Sequence, residues 1–172
     1  MKRILIIIMV ITIAVTGFFA FWHSDKPLDQ SARINKIIVE KSKRRLHLYF
    51  DDKLIKTYKI SLGRHPVGDK EREGDKKTPE GHYVINDKNP NSGYYKNLGI
   101  SYPNKQDIEQ AKKSGKNTGG QIKIHGIKNG FGWIGRLHLL IDWTAGCIAL
   151  TNNEIDELYE AIHIGTPIEI KP

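Results

Sequence analysis

Two residue types that could act together as a nucleophile and a base lie 22 residues apart in this chain. Cys147 is the single cysteine of the 172 residues, so the chain offers it no partner for a disulfide. Gly146 precedes it and would allow a sharp turn in which backbone N–H groups face a substrate oxygen. His125 is also next to a glycine, Gly126. The pattern favours a thiol nucleophile with an imidazole base, whereas a lone cysteine in an arbitrary sequence is more often an inert packing residue.

This chemistry requires that the surrounding secondary structure bring Cys147 and His125 close together. An unperturbed cysteine has a pKa of roughly 8.5 and is only a few per cent thiolate at neutral pH, so an imidazole must supply the base. Residues 121–124 form a strand-like run that leads to His125, and residues 148–150 form another directly after Cys147. We expect adjacent strands to bring the two side chains together. A backbone carbonyl near Gly126 could then orient the ring.

Two other kinds of site are not supported. Residues 63–70 have glycines at phosphate-loop spacing, but Asp69 stands where that loop needs a lysine. We expect no metal ion and no cofactor, because the possible ligands match no common zinc spacing. These possible ligands are His125, His138, Asp142 and Cys147.

The N-terminal segment has the composition of a membrane anchor. Lys2 and Arg3 precede residues 4–22, which carry no charge. Nineteen helical residues extend about 28 Å, close to the thickness of a hydrocarbon core. No small-residue cleavage site ends the segment. We therefore expect residues 1–23 to be an uncleaved single-pass transmembrane helix in the inner (cytoplasmic) membrane, followed by a linker over residues 24–33.

Composition limits the partners of the remaining domain, residues 34–172, which is long enough for one hydrophobic core. The chain has 27 basic and 19 acidic residues. They are interleaved, without a basic arm or an aromatic RNA-binding signature, so we expect no nucleic-acid partner. For a basic domain on the periplasmic or extracellular side of the membrane, an anionic polymer such as the cell wall is a more suitable partner than nucleic acid.

The secondary-structure pattern is mostly that of short strands. Runs rich in β-branched and aromatic residues occur at 37–39, 46–50, 54–60, 82–85 and 167–170. The first three predict an antiparallel meander. Two short helices are predicted by capping residues, Asn104 with Asp107 and Thr151 with Glu154. The expected fold class is therefore mainly β with two short helices.

Several motifs, taken together and in order, resemble the YkuD-type L,D-transpeptidase catalytic domain, in a compact membrane-anchored branch. The resemblance covers about residues 35–172 and implies a β-sandwich-like fold. The motifs are Thr-Pro-Glu-Gly at 78–81, Ile-His-Gly at 124–126, Thr-Ala-Gly-Cys-Ile-Ala-Leu at 144–150 and Gly-Thr-Pro-Ile-Glu-Ile at 165–170.

The resemblance also implies catalytic roles. Cys147 would be the nucleophile and His125 the base and proton donor. The Gly126 carbonyl would orient the imidazole, and backbone N–H groups around the cysteine would hold an oxyanion. The supporting positions are Gly126, Thr144, Ala145 and Gly146. Many family members carry histidine at the position of Ala145 and arginine or asparagine at that of Ala149, so substrate contacts cannot be transferred to this chain.

The implied reaction is acyl transfer on peptidoglycan tetrapeptide stems, in cell-wall remodelling that affects cell shape. The thiolate attacks the carbonyl of the diamino acid at position three and releases D-alanine, and an amine then takes the acyl group. With water as acceptor the domain would be a hydrolase, an L,D-carboxypeptidase or an amidase acting on wall peptides or a wall-linked lipoprotein. A wall-binding module without turnover is a further alternative.

Overall fold

The computed structural model describes Arg3, residues 6–13, Thr16, residues 26–29 and residues 31–172. The predicted anchor over residues 1–23 thus lies largely outside the described residues; its described positions are helical. Within the described part of the chain, no helix has the length and apolar character needed to cross a membrane.

The described part of the predicted linker contacts the domain. Lys56 Nζ donates a hydrogen bond to the Lys26 carbonyl oxygen at 2.8 Å. Leu28 is partly buried and packs against the hydrophobic core. Residues 26–29 are therefore held against the domain surface.

The strands of the described chain form an eight-stranded sheet with the order β3-β2-β1-β8-β4-β5-β6-β7. Pairing of β1 with β2 and of β2 with β3 is antiparallel, as the predicted meander requires. The strands are β1 Lys36–Glu40, β2 Arg45–Phe50, β3 Lys53–Lys59, β4 Gly81–Ser92, β5 Tyr95–Ile100, β6 Lys123–His125, β7 Ile148–Ala149 and β8 Pro167–Lys171.

The long strand β4 joins two halves of this sheet, because its first residues pair with β8 and the rest pair with β5. The two ends of the strand order also meet. Ser61, just after β3, donates its N–H to the Ala149 carbonyl in β7 at 2.9 Å and accepts the Ala149 N–H at 2.8 Å. The mainly β architecture is confirmed, and this bridge closes the sheet on itself.

Buried and exposed side chains alternate along the strands, and the buried ones form the hydrophobic core. In each of β1, β2 and β8, two alternate residues are at most 1% exposed, as expected when one face of a sheet is covered. These residues are Ile37, Val39, Leu46, Leu48, Ile168 and Ile170.

Both predicted helices are present. Helix α1, Lys105–Lys113, begins after Asn104, whose side chain accepts the Asp107 N–H in a capping box. Helix α2, Asn152–Ala161, begins after Thr151 and has the predicted capping box with Glu154. Its apolar stripe is buried against the sheet, with Ile155, Leu158 and Ile162 fully covered.

The sequence pattern does not predict some other elements of the structure. A 3₁₀ helix spans Gly132–Leu140 and is interrupted at Gly135, where φ is 52°. Glycines at three positions between 130 and 135 obscure any helical signature there. The second half of β4 is also unpredicted, because residues 86–92 are polar and include a proline.

A buried lysine fixes the loop between β3 and β4, which carries the Thr-Pro-Glu-Gly motif. Lys41 is 2% exposed, and its Nζ donates to the carbonyl oxygens of Gly68 at 2.6 Å and Thr78 at 2.8 Å, and to Glu80 Oε1 at 2.7 Å. The Thr78 hydroxyl accepts the Gly63 N–H at 3.0 Å. The motif therefore organises the loop that packs beside Cys147.

Candidate active site

Two adjacent parallel strands bring Cys147 and His125 into one pocket. In the β6–β7 register, Ile124 is opposite Ile148 and His125 is opposite Ala149. The two isoleucines are fully buried in the core, so His125 and Ala149 lie on the other face of the sheet. Cys147, two residues before Ala149, lies on that same face. Cys147 and His125 both line an open pocket of about 450 Å³, as the predicted strands require.

The His125 ring is oriented by the residue that follows it. Its Nδ1 atom lies 2.7 Å from the Gly126 carbonyl oxygen. Because a carbonyl oxygen only accepts hydrogen bonds, the proton is assigned to Nδ1, and Nε2 is left as an unprotonated acceptor. The Gly126 N–H donates in turn to the carbonyls of Tyr94 and Lys96, at 3.1 and 3.2 Å. This arrangement gives the imidazole the tautomer that a general base needs.

Aromatic rings surround the imidazole. The ring centroids of Tyr94 and Trp143 lie 4.7 and 5.7 Å from that of His125. The Trp143 indole N–H donates to His138 Nδ1 at 3.2 Å.

Burial lowers the pKa of His125, against the opposing effect of the Gly126 hydrogen bond. Burial, with a smaller contribution from the charge of His125, lowers the pKa of His138 to about 4. Both rings are therefore neutral at pH 7.

A threonine and a glycine shape the turn that carries the cysteine. Thr144 Oγ1 donates to the Cys147 carbonyl at 2.7 Å and accepts the Gly146 N–H at 3.1 Å. Gly146 has φ of 134°, and a β-carbon at this position would lie 2.7 Å from the Lys77 carbonyl oxygen. Only glycine fits this turn.

The same turn leaves two backbone donors for a substrate oxygen. The Gly146 N–H is already bound to Thr144, whereas within residues 31–172 the N–H groups of Ala145 and Cys147 have no acceptor in the protein. Of the N–H groups around the cysteine that were expected to hold an oxyanion, those of Ala145 and Cys147 are therefore available for a substrate oxygen.

Burial raises the pKa of the Cys147 thiol, and the backbone N–H and the charge of Lys123 offset part of this effect. The Sγ atom lies 3.7 Å from the Gln121 carbonyl oxygen, which a thiol proton can approach. With these shifts the Cys147 thiol is protonated and the His125 imidazole is neutral at pH 7.

Asp142 and His138, which the sequence offers as possible metal ligands, have structural partners. Asp142 Oδ2 accepts from Arg44 Nη2 at 2.8 Å and Nε at 3.2 Å, and its Oδ1 accepts the Leu62 N–H at 3.0 Å. His138 holds the indole of Trp143. These contacts fix the chain that leads into the Cys147 turn.

The family model described as L,D-transpeptidase catalytic domain (YkuD) matches residues 34–170. The chain belongs to this family. YafK of Escherichia coli (strain K12) is 32% identical over 133 residues, which cover 73% of this chain and 46% of YafK.

Solved structures agree with the family assignment. The helical cell shape determining protein Pgp2 from Campylobacter jejuni is 29% identical, with a TM-score of 0.61, over 86% of this chain and 52% of that chain. An L,D-transpeptidase from Mycobacterium smegmatis shares the fold at 14% identity and a TM-score of 0.54, over 80% and 58% of the two chains. This chain thus spans about half the length of YafK and Pgp2.

The pocket of this L,D-transpeptidase domain also contains residues that sequence reasoning missed. They come from the end of β4, from β5, which the sequence pattern did not predict, from β6, and from the connecting segments between strands. Only Lys123 carried a usable signal, since it is two residues before His125 on one strand and therefore shares its face. The missed lining residues are Arg64, Lys76, Ser92, Tyr94, Asn97, Gln121, Lys123 and Trp143.

Proposed function

We propose that this domain is an L,D-transpeptidase in which Cys147 attacks peptidoglycan tetrapeptide stems. The observation that carries the proposal is the hydrogen bond between His125 Nδ1 and Gly126, which leaves Nε2 as a base in the pocket of the single cysteine. The family assignment supports the reaction class.

In the first half-reaction, the thiol proton moves to His125 Nε2 as Sγ attacks the carbonyl carbon of the diamino acid at position three. The carbonyl oxygen becomes an oxyanion, and the N–H groups of Ala145 and Cys147 stabilise it. When the tetrahedral intermediate collapses, the bond to the D-alanine nitrogen breaks and His125 returns the proton to that nitrogen. The products are D-alanine and a thioester on Cys147.

In the second half-reaction, an acceptor amine attacks the thioester carbonyl while His125 takes a proton from the amine. The carbon–sulfur bond then breaks, and the proton returns to the sulfur, which regenerates the protonated thiol. The neutral resting pair suits both steps, because the imidazole accepts a proton in each half-reaction and releases it again. Water in place of the amine would convert the same cycle into hydrolysis.

The test is product analysis with the full chain and a disaccharide tetrapeptide. We expect stoichiometric release of D-alanine together with cross-linked dimers, separated by liquid chromatography and identified by mass. Cys147→Ser is the matched control and should form neither. A tripeptide product without dimers would assign the hydrolase alternative, and binding without D-alanine release would assign the wall-binding alternative.

The proposed substrate also places the domain outside the cytoplasmic membrane, with residues 1–23 as its anchor. We expect the full-length chain in the membrane fraction, with the domain accessible to protease only from the periplasmic or extracellular side. A mature protein that begins near residue 21–25 would exclude the anchor and leave the enzymatic proposal intact.

A further inference from the structure

The pocket beside Cys147 is lined by basic side chains without acidic neighbours. Arg64, Lys76 and Lys123 line it, and no aspartate or glutamate among the described residues does. Buried lysines elsewhere in the domain are paired, for example Lys70 with Asp75 at 2.7 Å. None of the three pocket cations is within ion-pair distance of a carboxylate in the part of the chain that the structure describes.

The cations come from separate segments, which makes their convergence a property of the fold. Arg64 and Lys76 belong to the β3–β4 loop, and Arg64 is held by a hydrogen bond from its Nε to the Trp143 carbonyl at 3.1 Å. Lys123 lies on β6, two residues before His125. Three positive charges from two separate segments therefore converge beside Cys147.

A buried amide adds an unsatisfied acceptor to the same pocket. Asn97 lies opposite His125 in the β5–β6 register, so the two side chains share one face of the sheet. Asn97 is 3% exposed, lines the pocket, and its Oδ1 has no hydrogen-bond partner. A buried acceptor without a donor costs about 1–3 kcal/mol, which a ligand N–H would offset.

We propose that Arg64, Lys76, Lys123 and Asn97 form a subsite for a carboxylate with an adjacent N–H donor, the chemistry of an amino-acid end group. The inference rests on the proposed function and names the part of the stem that is recognised. Two ends of a tetrapeptide stem have this chemistry. One is the terminal D-alanine, with its amide N–H and carboxylate. The other is the free end of the diamino acid side chain, with an ammonium beside a carboxylate.

The test measures peptide affinity without turnover, by calorimetry on the full chain carrying Cys147→Ser. The ligands are the tetrapeptide with meso-diaminopimelate, its C-terminal D-alaninamide, and its side-chain carboxamide. We expect Lys76→Gln or Lys123→Gln to raise the Kd of the tetrapeptide by about tenfold or more, the scale of one charge-assisted hydrogen bond. The exposed Lys105 supplies the control, and Lys105→Gln should leave the Kd unchanged.

The D-alaninamide and the side-chain carboxamide show which end of the stem is bound. The analogue that has lost the bound carboxylate should bind weakly to the parent Cys147→Ser chain. It should lose no further affinity in the lysine variants, because the carboxylate that the lysine would bind is already absent. Asn97→Leu should weaken binding while leaving the melting temperature unchanged or raised, since it removes an unsatisfied buried acceptor.

Equal affinity of all three peptides for the parent chain, or an equal loss on all three in the lysine variants, would overturn the subsite. A fall in melting temperature with unchanged affinity would assign Asn97 a structural role only. Because binding is measured in the absence of acylation, these outcomes are separate from a failure of the wild-type chain to release D-alanine.

Discussion

Gly126 lies so close to the first residue of α2 that a β-carbon on it would be 2.8 Å from Asn152 Oδ1. That oxygen cannot move freely, because it accepts the Ile127 N–H at 2.9 Å. The neighbouring atoms are also close, with Ile155 Cγ2 and Tyr95 Cβ both at 3.1 Å from the same point. Any side chain at residue 126 must therefore displace the backbone whose carbonyl holds His125.

Gly126→Ala should consequently lower kcat for D-alanine release by about 10- to 100-fold, since small misplacements of a catalytic group carry penalties of this size. The control is Gly120→Ala, because a β-carbon at residue 120 meets no atom within 4 Å. Circular dichroism would verify that both variants fold. An unchanged kcat in folded Gly126→Ala would show that the Gly126 carbonyl does not orient the base.

The pH dependence of kcat/KM should form a broad plateau. Activity requires neutral His125, so it falls as the pH drops through the pKa of this residue, which burial places below its usual 6.5. It also requires a thiol proton for the leaving amine, so it falls again above the pKa of Cys147, which burial places above its usual 9.0. Thiolate absorbance near 240 nm at pH 7 would be absent. Thiolate absorbance at pH 7, with an alkaline limb below pH 9.0, would indicate a preformed ion pair instead. An acidic limb centred above pH 6.5 would contradict the lowered pKa of His125.

The sequence predicts the pieces of the site that depend on local chemistry. The proximity of His125 to Cys147 follows from two strand-like runs, and the requirement for glycine at residue 146 follows from the turn before a nucleophile. Both capping boxes are likewise local signals, since Asn104 and Thr151 contact residues three positions along the chain.

The electrostatic setting of the site depends on tertiary packing and could not be predicted in this way. Nothing near Cys147 in the sequence indicates that burial keeps its thiol protonated. Asn97 reaches the pocket only through the β5–β6 pairing, and Lys76 only through the loop that Lys41 anchors. These residues are separated from the motif by tens of positions, and nothing in the residues next to them indicates a site.

Lys41 provides a stability test of that anchoring. Lys41→Met should destabilise the domain by about 3–5 kcal/mol, because it leaves Glu80 and two carbonyl oxygens without their buried donor. Lys43→Met is a matched control: Lys43 pairs with Glu40 at 3.1 Å but is 67% exposed, so its loss should cost under about 1 kcal/mol. Urea unfolding followed by fluorescence measures both. Equal midpoints for the two variants would contradict the structural role of Lys41.

The role of Cys147 as the nucleophile is tested most directly by trapping its covalent intermediate. A carbapenem is a strained acyl donor that the family resemblance suggests as a trap, and intact-mass spectrometry with peptide mapping should find one adduct per chain, on Cys147 alone. Cys147→Ser keeps nearly the same volume but raises the pKa of the nucleophile by several units, so acylation should fall by orders of magnitude while stability changes little. An adduct elsewhere, or full acylation of Cys147→Ser, would contradict the assignment of Cys147 as the nucleophile.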